Sequence, residues 1–213
     1  MRVASACPFE MRIDMDTSKA RQLVEAIART VIAHAEELTQ LDQAIGDGDH
    51  GVNMKRGFEA VLADLDKLAE GNVATLLTGV GRTLVMKVGG ASGPLYGTLF
   101  MQLGKSWPAE LSARSFHATC RAAVEAVAVR GKSQRGQKTM LDVLLPVCDE
   151  LAKETHRAAL RAYAATCAQA TVPLEATRGR ASFLKERSIG HLDPGARSAQ
   201  LMIEAVCDSL GAL

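Results

Sequence analysis

An all-α fold is the class that this sequence predicts, and three observations support it. Aromatic residues make up only 4% of the 213 residues, and runs of β-branched residues are scarce, which disfavours a sheet. Apolar residues recur every three or four positions through most of the chain, as they do in amphipathic helices. The periodic segments are separated mostly by short links, which is typical of antiparallel helical packing. We therefore expect one domain of eight helices that run up and down.

The first four helices are predicted from apolar spacing and from the residues that end helices. They cover about residues 18–41, 51–69, 73–88 and 95–104. Gly71 ends the second, and the glycine-rich segment 89–94 ends the third. Ser92 is placed to cap the fourth helix, with Pro94 in its first turn.

The remaining four helices are predicted in the same way. The fifth covers about residues 112–130, the sixth begins near Thr139, the seventh covers about 154–170, and the eighth covers 196–210. Pro146 is expected to kink the sixth helix, and residues 178–195 are expected to be irregular. Residues 1–16 are predicted to be a loosely ordered N-terminal extension, followed by the domain at 17–213.

The loops after the first, third, fifth and seventh helices are expected to meet at one end of the domain. In an up-and-down bundle, alternate connections lie at the same end. These loops cover residues 46–51, 89–94, 131–138 and 171–195, and they contain glycines, basic residues and a cluster of acids. The sequence therefore predicts one composite site built from four distant segments. The cationic loop Lys132–Lys138 is either a phosphate lid or a solvated connector.

The segment from Leu41 to Asn53 predicts the chemistry of that site. Asp42, Asp47 and Asp49 place three carboxylates within eight residues, and their mutual repulsion favours binding of a cation. Carboxylate oxygens without nearby cysteine suit Mg²⁺ or Ca²⁺ better than zinc. The helix that follows presents its N-terminus, where amide groups attract anions. The segment is therefore predicted to form a metal–phosphate site. The alternative for the whole segment is a solvated acidic turn, and the alternative for His50 is a simple helix cap.

Other nucleotide and metal motifs do not fit this segment. Gly46-x-Gly48-x-x-Gly51 follows a helix, whereas a dinucleotide-binding fingerprint must follow a β-strand. An EF-hand loop counted from Asp42 or from Asp47 has no glutamate at its twelfth position. A Walker-type phosphate loop is absent from the sequence.

Charge and composition exclude several function classes. A formal net charge of +1 argues against nucleic-acid binding driven by charge. Apolar runs are too short to cross a membrane. The five cysteines are scattered and never form a C-x-x-C pair, which indicates buried, reduced thiols and a cytoplasmic protein. Met86, Met101 and Met202 are interpreted as core residues.

Four motifs together resemble the L subunit, the nucleotide-binding subunit, of dihydroxyacetone kinases. They are Asp42…Gly46-Asp-Gly-Asp-His-Gly51, Gly89-Gly-Ala-Ser-Gly-Pro-Leu-Tyr-Gly97, Lys138-Thr-Met-Leu-Asp142, and the pair Gly179-Arg-Ala-Ser-Phe183 and Arg187-Ser-Ile-Gly-His-Leu-Asp-Pro-Gly195. The resemblance covers about residues 18–212. It implies a closed barrel of eight antiparallel helices with ADP or ATP at one end. Gln137 and Lys185 depart from the family, which often has an acidic residue and a glycine there.

The resemblance also implies roles for individual residues. It places two Mg²⁺ ions on Asp42, Asp47 and Asp49, and it gives Arg180 the catalytic role of stabilising charge on the transferred group. It implies nucleotide contacts at His50, Gly51, Val52, Asn53, Ala91, Ser92, Gly131, Met140, Arg180, Asp193, Pro194 and Gly195.

The resemblance implies phosphoryl transfer to a small hydroxy-ketone held by a separate K subunit. In one variant of the family ADP stays bound and is recharged by a phosphotransferase-system protein, and in the other ATP exchanges from solution. Three alternatives stay open at this point: a kinase subunit for a four-carbon ketose such as erythrulose, a nucleotide-loaded module that regulates a transcription factor, and a helical bundle with an incidental metal site.

Overall fold

The computed structural model describes residues 13–153 and 156–212, with side chains as far as residue 210. Its regular elements are all helical, so the predicted all-α class is confirmed. The α-helices are α1 (Thr17–Ala33), α2 (Ala35–Ile45), α3 (His50–Leu68), α4 (Val73–Lys87), α5 (Ser92–Lys105), α6 (Ala113–Gly131), α7 (Leu141–Leu151), α8 (Arg157–Gln169) and α9 (Pro194–Ala212). A 3₁₀ segment, Arg180–Ser188, lies between α8 and α9.

Helices that are adjacent in sequence also pack against each other. Contacts run from α3 through each following helix to α9, and α1 packs against both α3 and α9. The circuit of contacts therefore closes through α1. If α1 and α2 are counted as one interrupted helix, the described part of the chain has eight α-helices. This arrangement agrees with the barrel of eight helices, which itself stays a prediction.

The helices surround a continuous apolar core. Leu38 of α2, Phe58 of α3, Leu84 of α4 and Leu201 of α9 are at most 1% exposed. The rings of Phe58 and Phe100 meet edge to face with centroids 6.5 Å apart, a favourable aromatic geometry. The core therefore fixes the helix ends that form the loops at 46–51 and 89–94.

The first predicted helix is interrupted at His34, so the prediction of one helix over 18–41 was wrong in detail. His34 has φ −101° and ψ 13°, which ends α1, and α2 begins at the next residue. Its Nδ1 lies 2.8 Å from the carbonyl oxygen of Thr30, where it competes with the backbone of the helix. The apolar spacing continues across the break and therefore conceals it.

The last helix begins earlier than the sequence predicted. The carboxylate of Asp193 accepts a hydrogen bond from the Ala196 N–H at 2.7 Å, as an N-cap does, and Pro194 is the first helical residue. Residues 193–195 thus belong to a helix N-terminus, and only the preceding part of the segment 178–195 is irregular. This places three predicted nucleotide-binding residues at the start of α9.

Three further predictions concern the N-terminal extension, the cysteines and membrane spans. Most of the predicted extension at 1–16 lies outside the described residues, as do Cys7 and the first residues of the predicted seventh helix. Cys148, Cys167 and Cys207 are buried and free, as predicted. Among the helices described, we find none with the length and apolar character that crossing a membrane demands.

Candidate metal and phosphate site

Asp42, Asp47 and Asp49 lie together where α2 gives way to α3. Each offers a carboxylate oxygen, and these three oxygens are all within 4.8 Å of one another. Asp42 lies in the last turn of α2 and is buried, while the other two are exposed on the turn. Gly48 has φ +74°, which a glycine adopts without strain and which lets the turn fold back.

Backbone amides orient the buried carboxylate of this cluster. Asp42 Oδ2 accepts hydrogen bonds from the N–H groups of Asp49, at 2.8 Å, and of His50, at 3.1 Å. Two oxygens bound to one Mg²⁺ ion are at most about 4.2 Å apart, because Mg–O distances are about 2.1 Å. The three oxygens therefore need only a small adjustment to share one ion. Their number and chemistry fit a magnesium site.

The first turn of α3 carries the predicted residues His50, Gly51, Val52 and Asn53. A Cβ added at Gly51 would lie 1.9 Å from the carbonyl oxygen of Ala35, so this glycine lets α3 approach α2 closely. Val52 is 59% exposed, whereas the side chain of Asn53 is buried. The structure thus gives Gly51 a packing role that the sequence analysis did not predict.

The second predicted loop touches the first. A Cβ added at Gly89 would lie 2.7 Å from Asn53 Oδ1, so the end of α4 approaches the start of α3. Ser92 was expected to cap the next helix, but no side-chain cap bond is present and Ala91, which is exposed, occupies the cap position. The Ser92 hydroxyl instead lies 3.0 Å from His50 Nδ1.

His50 is buried between these two loops. Burial lowers its pKa, although nearby Asp42 and Asp49 act in the opposite direction, and the neutral ring is favoured. Its Nε2 lies 3.0 Å from Ser198 Oγ. The ring therefore has a partner at each nitrogen, and it is more than a helix cap.

Met140, which follows the third predicted loop, meets residues of the fourth predicted loop at the start of α9. A Cβ added at Gly195 would lie 3.0 Å from Asp193 Oδ2 and 3.4 Å from the backbone nitrogen of Met140. Gly131, by contrast, lies at the end of α6, where an added Cβ would lie 3.2 Å from Leu95 Cδ2. The structure thus brings Met140 to the start of α9 and Gly131 to the start of α5.

Arg180 links the fourth loop to the acidic cluster. Its Nε lies 2.8 Å from Asp47 Oδ2, and 71% of the arginine side chain is exposed. An exposed pair of this kind is screened by water and contributes little stability. The ion pair matters for position, because it shows that the Arg180 guanidinium reaches a carboxylate predicted to hold the metal.

Lys138 is buried, which corrects the interpretation of Lys132–Lys138 as a phosphate lid or a solvated connector at this residue. It is 1% exposed, and its Nζ donates to the carbonyl oxygens of Thr171, at 2.7 Å, and His191, at 2.5 Å. A third carbonyl, that of Val172, lies at 3.4 Å. Burial lowers the pKa of Lys138. This ammonium group ties together the two ends of the loop that carries Arg180.

Asp142 orders the remaining part of the third loop. Its two carboxylate oxygens accept from the backbone N–H groups of Gly136 and Thr139. Gln137, the residue that departs from the family pattern, accepts from the Gln134 N–H at 2.9 Å. The loop is therefore held by local hydrogen bonds.

A surface groove of about 780 Å³ lies away from the predicted site. Its lining includes Glu37 of α2, Thr166 of α8 and Arg197 of α9, and none of its lining residues belongs to the predicted set. The guanidinium of Arg197 bonds to both carboxylate oxygens of Glu37, at 2.6 and 3.3 Å. These charges satisfy each other, so we assign the groove no role.

Burial raises the pKa of Asp193 to about 7, against an ordinary value of 3.8, and the nearby Lys138 ammonium and the Ala196 N–H oppose this shift. The folded protein therefore binds a proton at Asp193 more tightly than the unfolded chain does. The resulting stabilisation is complete below pH 3.8 and is lost as the pH rises through about 7.

We expect the stability difference between the wild type and Asp193→Asn to change between pH 5 and pH 8. The wild type should lose stability relative to the variant as the pH rises, by at most about 1.4 kcal/mol per pH unit. Denaturant unfolding of both proteins at four pH values measures the difference and cancels the contribution of His50. A difference that is constant across this range would contradict the shifted pKa.

Comparison with known proteins identifies one family and similar relatives within it. Residues 44–208 match the DAK2 domain family. The chain is 45% identical over 175 residues to "PEP-dependent dihydroxyacetone kinase 1, ADP-binding subunit DhaL" of Listeria innocua. This match covers 79% of the present chain and 84% of that protein. It is 41% identical over 180 residues to "PEP-dependent dihydroxyacetone kinase, ADP-binding subunit DhaL" of Escherichia coli, with 80% and 86% covered.

The fold is also shared with a solved structure. The crystal structure of the dihydroxyacetone kinase from C. freundii in complex with AMP-PNP and Mg²⁺ matches with a TM-score of 0.72 at 22% identity. The match covers 98% of this chain but only 36% of the longer chain.

Proposed function

Because this chain belongs to the DAK2 domain family, we propose that it is the nucleotide-binding subunit of a dihydroxyacetone kinase. It would hold the nucleotide during phosphoryl transfer to a small hydroxy-ketone on a separate K subunit. The cluster of Asp42, Asp47 and Asp49 at the N-terminus of α3 is the observation that carries this proposal. Two relatives named as ADP-binding subunits of such kinases support it.

The three aspartates would hold Mg²⁺, with two ions as the family implies. Magnesium neutralises the charge of the phosphates when it is bound. Asp42 is held in place beforehand by two backbone N–H groups, so it loses little freedom on binding. Asp47 and Asp49 are exposed, and each offers an oxygen within 4.8 Å of the other and of an oxygen of Asp42.

The remaining predicted residues would surround the nucleotide. Ser92 and the amide groups at the start of α5 would bind phosphate oxygens, as helix N-termini do. Arg180 would move from Asp47 to the transferred group and stabilise its charge, which makes it the proposed catalytic residue. Met140 and the Pro194-Gly195 turn, which lie side by side, would pack against the base and ribose.

The names of the relatives favour one source of phosphate. Both are called PEP-dependent and ADP-binding, which fits the variant in which ADP stays bound. A phosphotransferase-system protein would then recharge it. The same names favour dihydroxyacetone over a four-carbon ketose and a kinase subunit over a regulatory module. A cytoplasmic location stays a prediction.

We expect the isolated chain to have negligible kinase activity and the mixture with a K subunit to be active. The chain carries metal and phosphate chemistry but has no evident ketose pocket among its described residues. Phosphorylation of dihydroxyacetone would be measured with the chain alone, with a K subunit, and with ATP or a phosphotransferase donor. A rate for the isolated chain that an added K subunit does not change would contradict the two-subunit proposal.

Charge-reversal variants and a control variant would locate the contact with the K subunit. Lys132 and Arg135 are exposed beside the proposed site, so reversing their charges should weaken complex formation more than Mg²⁺–ADP binding. The effect should be larger at low salt, where screening is weaker. Charge reversal at Lys105, in the last turn of α5 and far from its start, is the control.

A further inference from the structure

Two buried hydroxyl groups continue the hydrogen-bonded chain that starts at Ser92 and His50. Ser198 Oγ lies 3.0 Å from His50 Nε2, and the Tyr96 hydroxyl lies 2.6 Å from Ser198 Oγ. Ser198 is fully buried, and Tyr96 is 1% exposed. Neither residue is among the site residues predicted from the sequence.

This chain of hydroxyls joins three of the four predicted loops. His50 begins α3, Tyr96 is in α5 one turn after Ser92, and Ser198 is in α9 one turn after Pro194. The Tyr96 hydroxyl also donates to the carbonyl oxygen of Gly195 at 3.1 Å. The first turn of α9 and the first turn of α5 are therefore connected beneath the site.

The connections restrict the His50 ring and, through it, Ser92. Both ring nitrogens have a hydroxyl partner at 3.0 Å, so any rotation of the ring breaks two hydrogen bonds. The ring cannot recover these bonds from water, because it is buried. Removing the hydroxyl of Ser198 frees one side of the ring and leaves Ser92 as the remaining contact.

We propose that Tyr96 and Ser198 are positioning residues that act through His50 to hold the Ser92 hydroxyl, at the start of α5, against the nucleotide phosphates. This inference rests on the proposed function, since it takes Ser92 and the start of α5 to be the phosphate-binding elements. Both residues are buried beneath Ser92 and His50, so neither would touch the nucleotide. Their effect is to keep the N-termini of α3 and α5 in register, through the His50–Ser92 contact, before the ligand arrives.

The test compares Tyr96→Phe and Ser198→Ala with a control that loses an equally buried hydroxyl elsewhere. Thr119 is 3% exposed, and its hydroxyl donates to the carbonyl oxygen of Ser106 at 2.9 Å, at the far end of α5. Thr119→Val therefore reproduces the cost of removing a buried hydrogen bond away from the site. Affinity for Mg²⁺–ADP is measured by calorimetry, affinity for adenosine by competition, and stability by thermal unfolding.

We expect both site variants to bind Mg²⁺–ADP at least about fivefold more weakly, which is the size of one net hydrogen bond. Adenosine, which has no phosphate, should bind as it does to the wild type. Thr119→Val should lower the thermal midpoint without changing either affinity. Tyr96→Phe removes one oxygen only and keeps the test valid should Ser198→Ala fail to fold.

Two outcomes would overturn the inference without touching the proposed function. One is wild-type affinity for Mg²⁺–ADP in both site variants, and the other is an equal loss of affinity for ADP and adenosine. A wild-type chain that does not bind Mg²⁺–ADP would instead contradict the proposed function itself.

Discussion

Replacing Asp49 with alanine is expected to abolish binding of Mg²⁺–ADP while the protein stays folded. The variant removes one of three carboxylate oxygens that lie within 4.8 Å of one another, and no neighbouring acid can replace it in that turn. A ligand that binds only the native state raises stability by about 2.7 kcal/mol at a hundredfold excess over Kd. Thermal unfolding and calorimetry with Mg²⁺ and ADP should show that this increase is lost.

Asp47→Ala should have the same effect on binding, but it also releases Arg180 from its ion pair, so Asp49→Ala is the cleaner variant. Without bound metal, the Asp47→Ala and Asp49→Ala variants should be as stable as the wild type or slightly more stable, because removing one of the crowded acids reduces their repulsion. Asp64→Ala, an exposed acid further along α3, is the matched control. Wild-type nucleotide affinity in the double variant of Asp47 and Asp49 would show that the segment is only an acidic turn.

Lys138→Met is expected to destabilise the fold by about 3 kcal/mol or more, because it leaves buried carbonyl groups without their charged donor. Methionine has a similar volume and cannot donate to the oxygens of Thr171, Val172 and His191. The buried acid Asp193 would lose a nearby cation as well. Urea unfolding, followed by circular dichroism, measures the loss.

Lys132→Met is the control for this variant. Lys132 is an exposed lysine six residues earlier in the same loop, and its side chain is not buried. Its replacement should change stability by no more than about 0.5 kcal/mol, as is usual at the surface. Equal stability of the two variants would show that the buried ammonium group contributes nothing to closing the loop at 171–191.

Much of the fold could be predicted because its signals are local. Apolar spacing located the helices, and three acids within eight residues are close in space in almost any turn that joins two helices. The break at His34 was missed because one residue outside the helical region leaves the apolar pattern intact. The start of α9 was missed because Asp193-Pro194 was read as loop, although an N-cap followed by proline is a helix-start signal.

The parts of the site that depend on distant residues could not be predicted from single positions. Tyr96 and Ser198 are 102 residues apart, and Lys138 meets carbonyl groups 33 to 53 residues further along the chain. Nothing in the spacing of a lysine in a basic loop distinguishes a buried side chain from an exposed one. Met86 was wrongly taken as a core residue and is 72% exposed, because it lies on the outer face of α4.

The backbone at Lys185 shows why glycine would suit this position. Lys185 interrupts the 3₁₀ segment with φ 50° and ψ −127°, a conformation that glycine adopts readily and lysine does not. The glycine that the family often has at this position suits that backbone. The departure is visible in the sequence, but the backbone conformation at that residue could not be inferred from it.

The first turn of α1 and the last turn of α9 lie away from the carboxylates, and this decides where the protein can be attached to a surface or a carrier. The Thr17 hydroxyl donates to the carbonyl oxygen of Gly71, beyond the far end of α3, and a helix of 19 residues separates that end from the carboxylates by about 28 Å. The helix α9 starts beside Met140 and runs away from the site for the same number of residues. A tether joined to the first turn of α1 or the last turn of α9 would therefore leave the carboxylate end facing the solution.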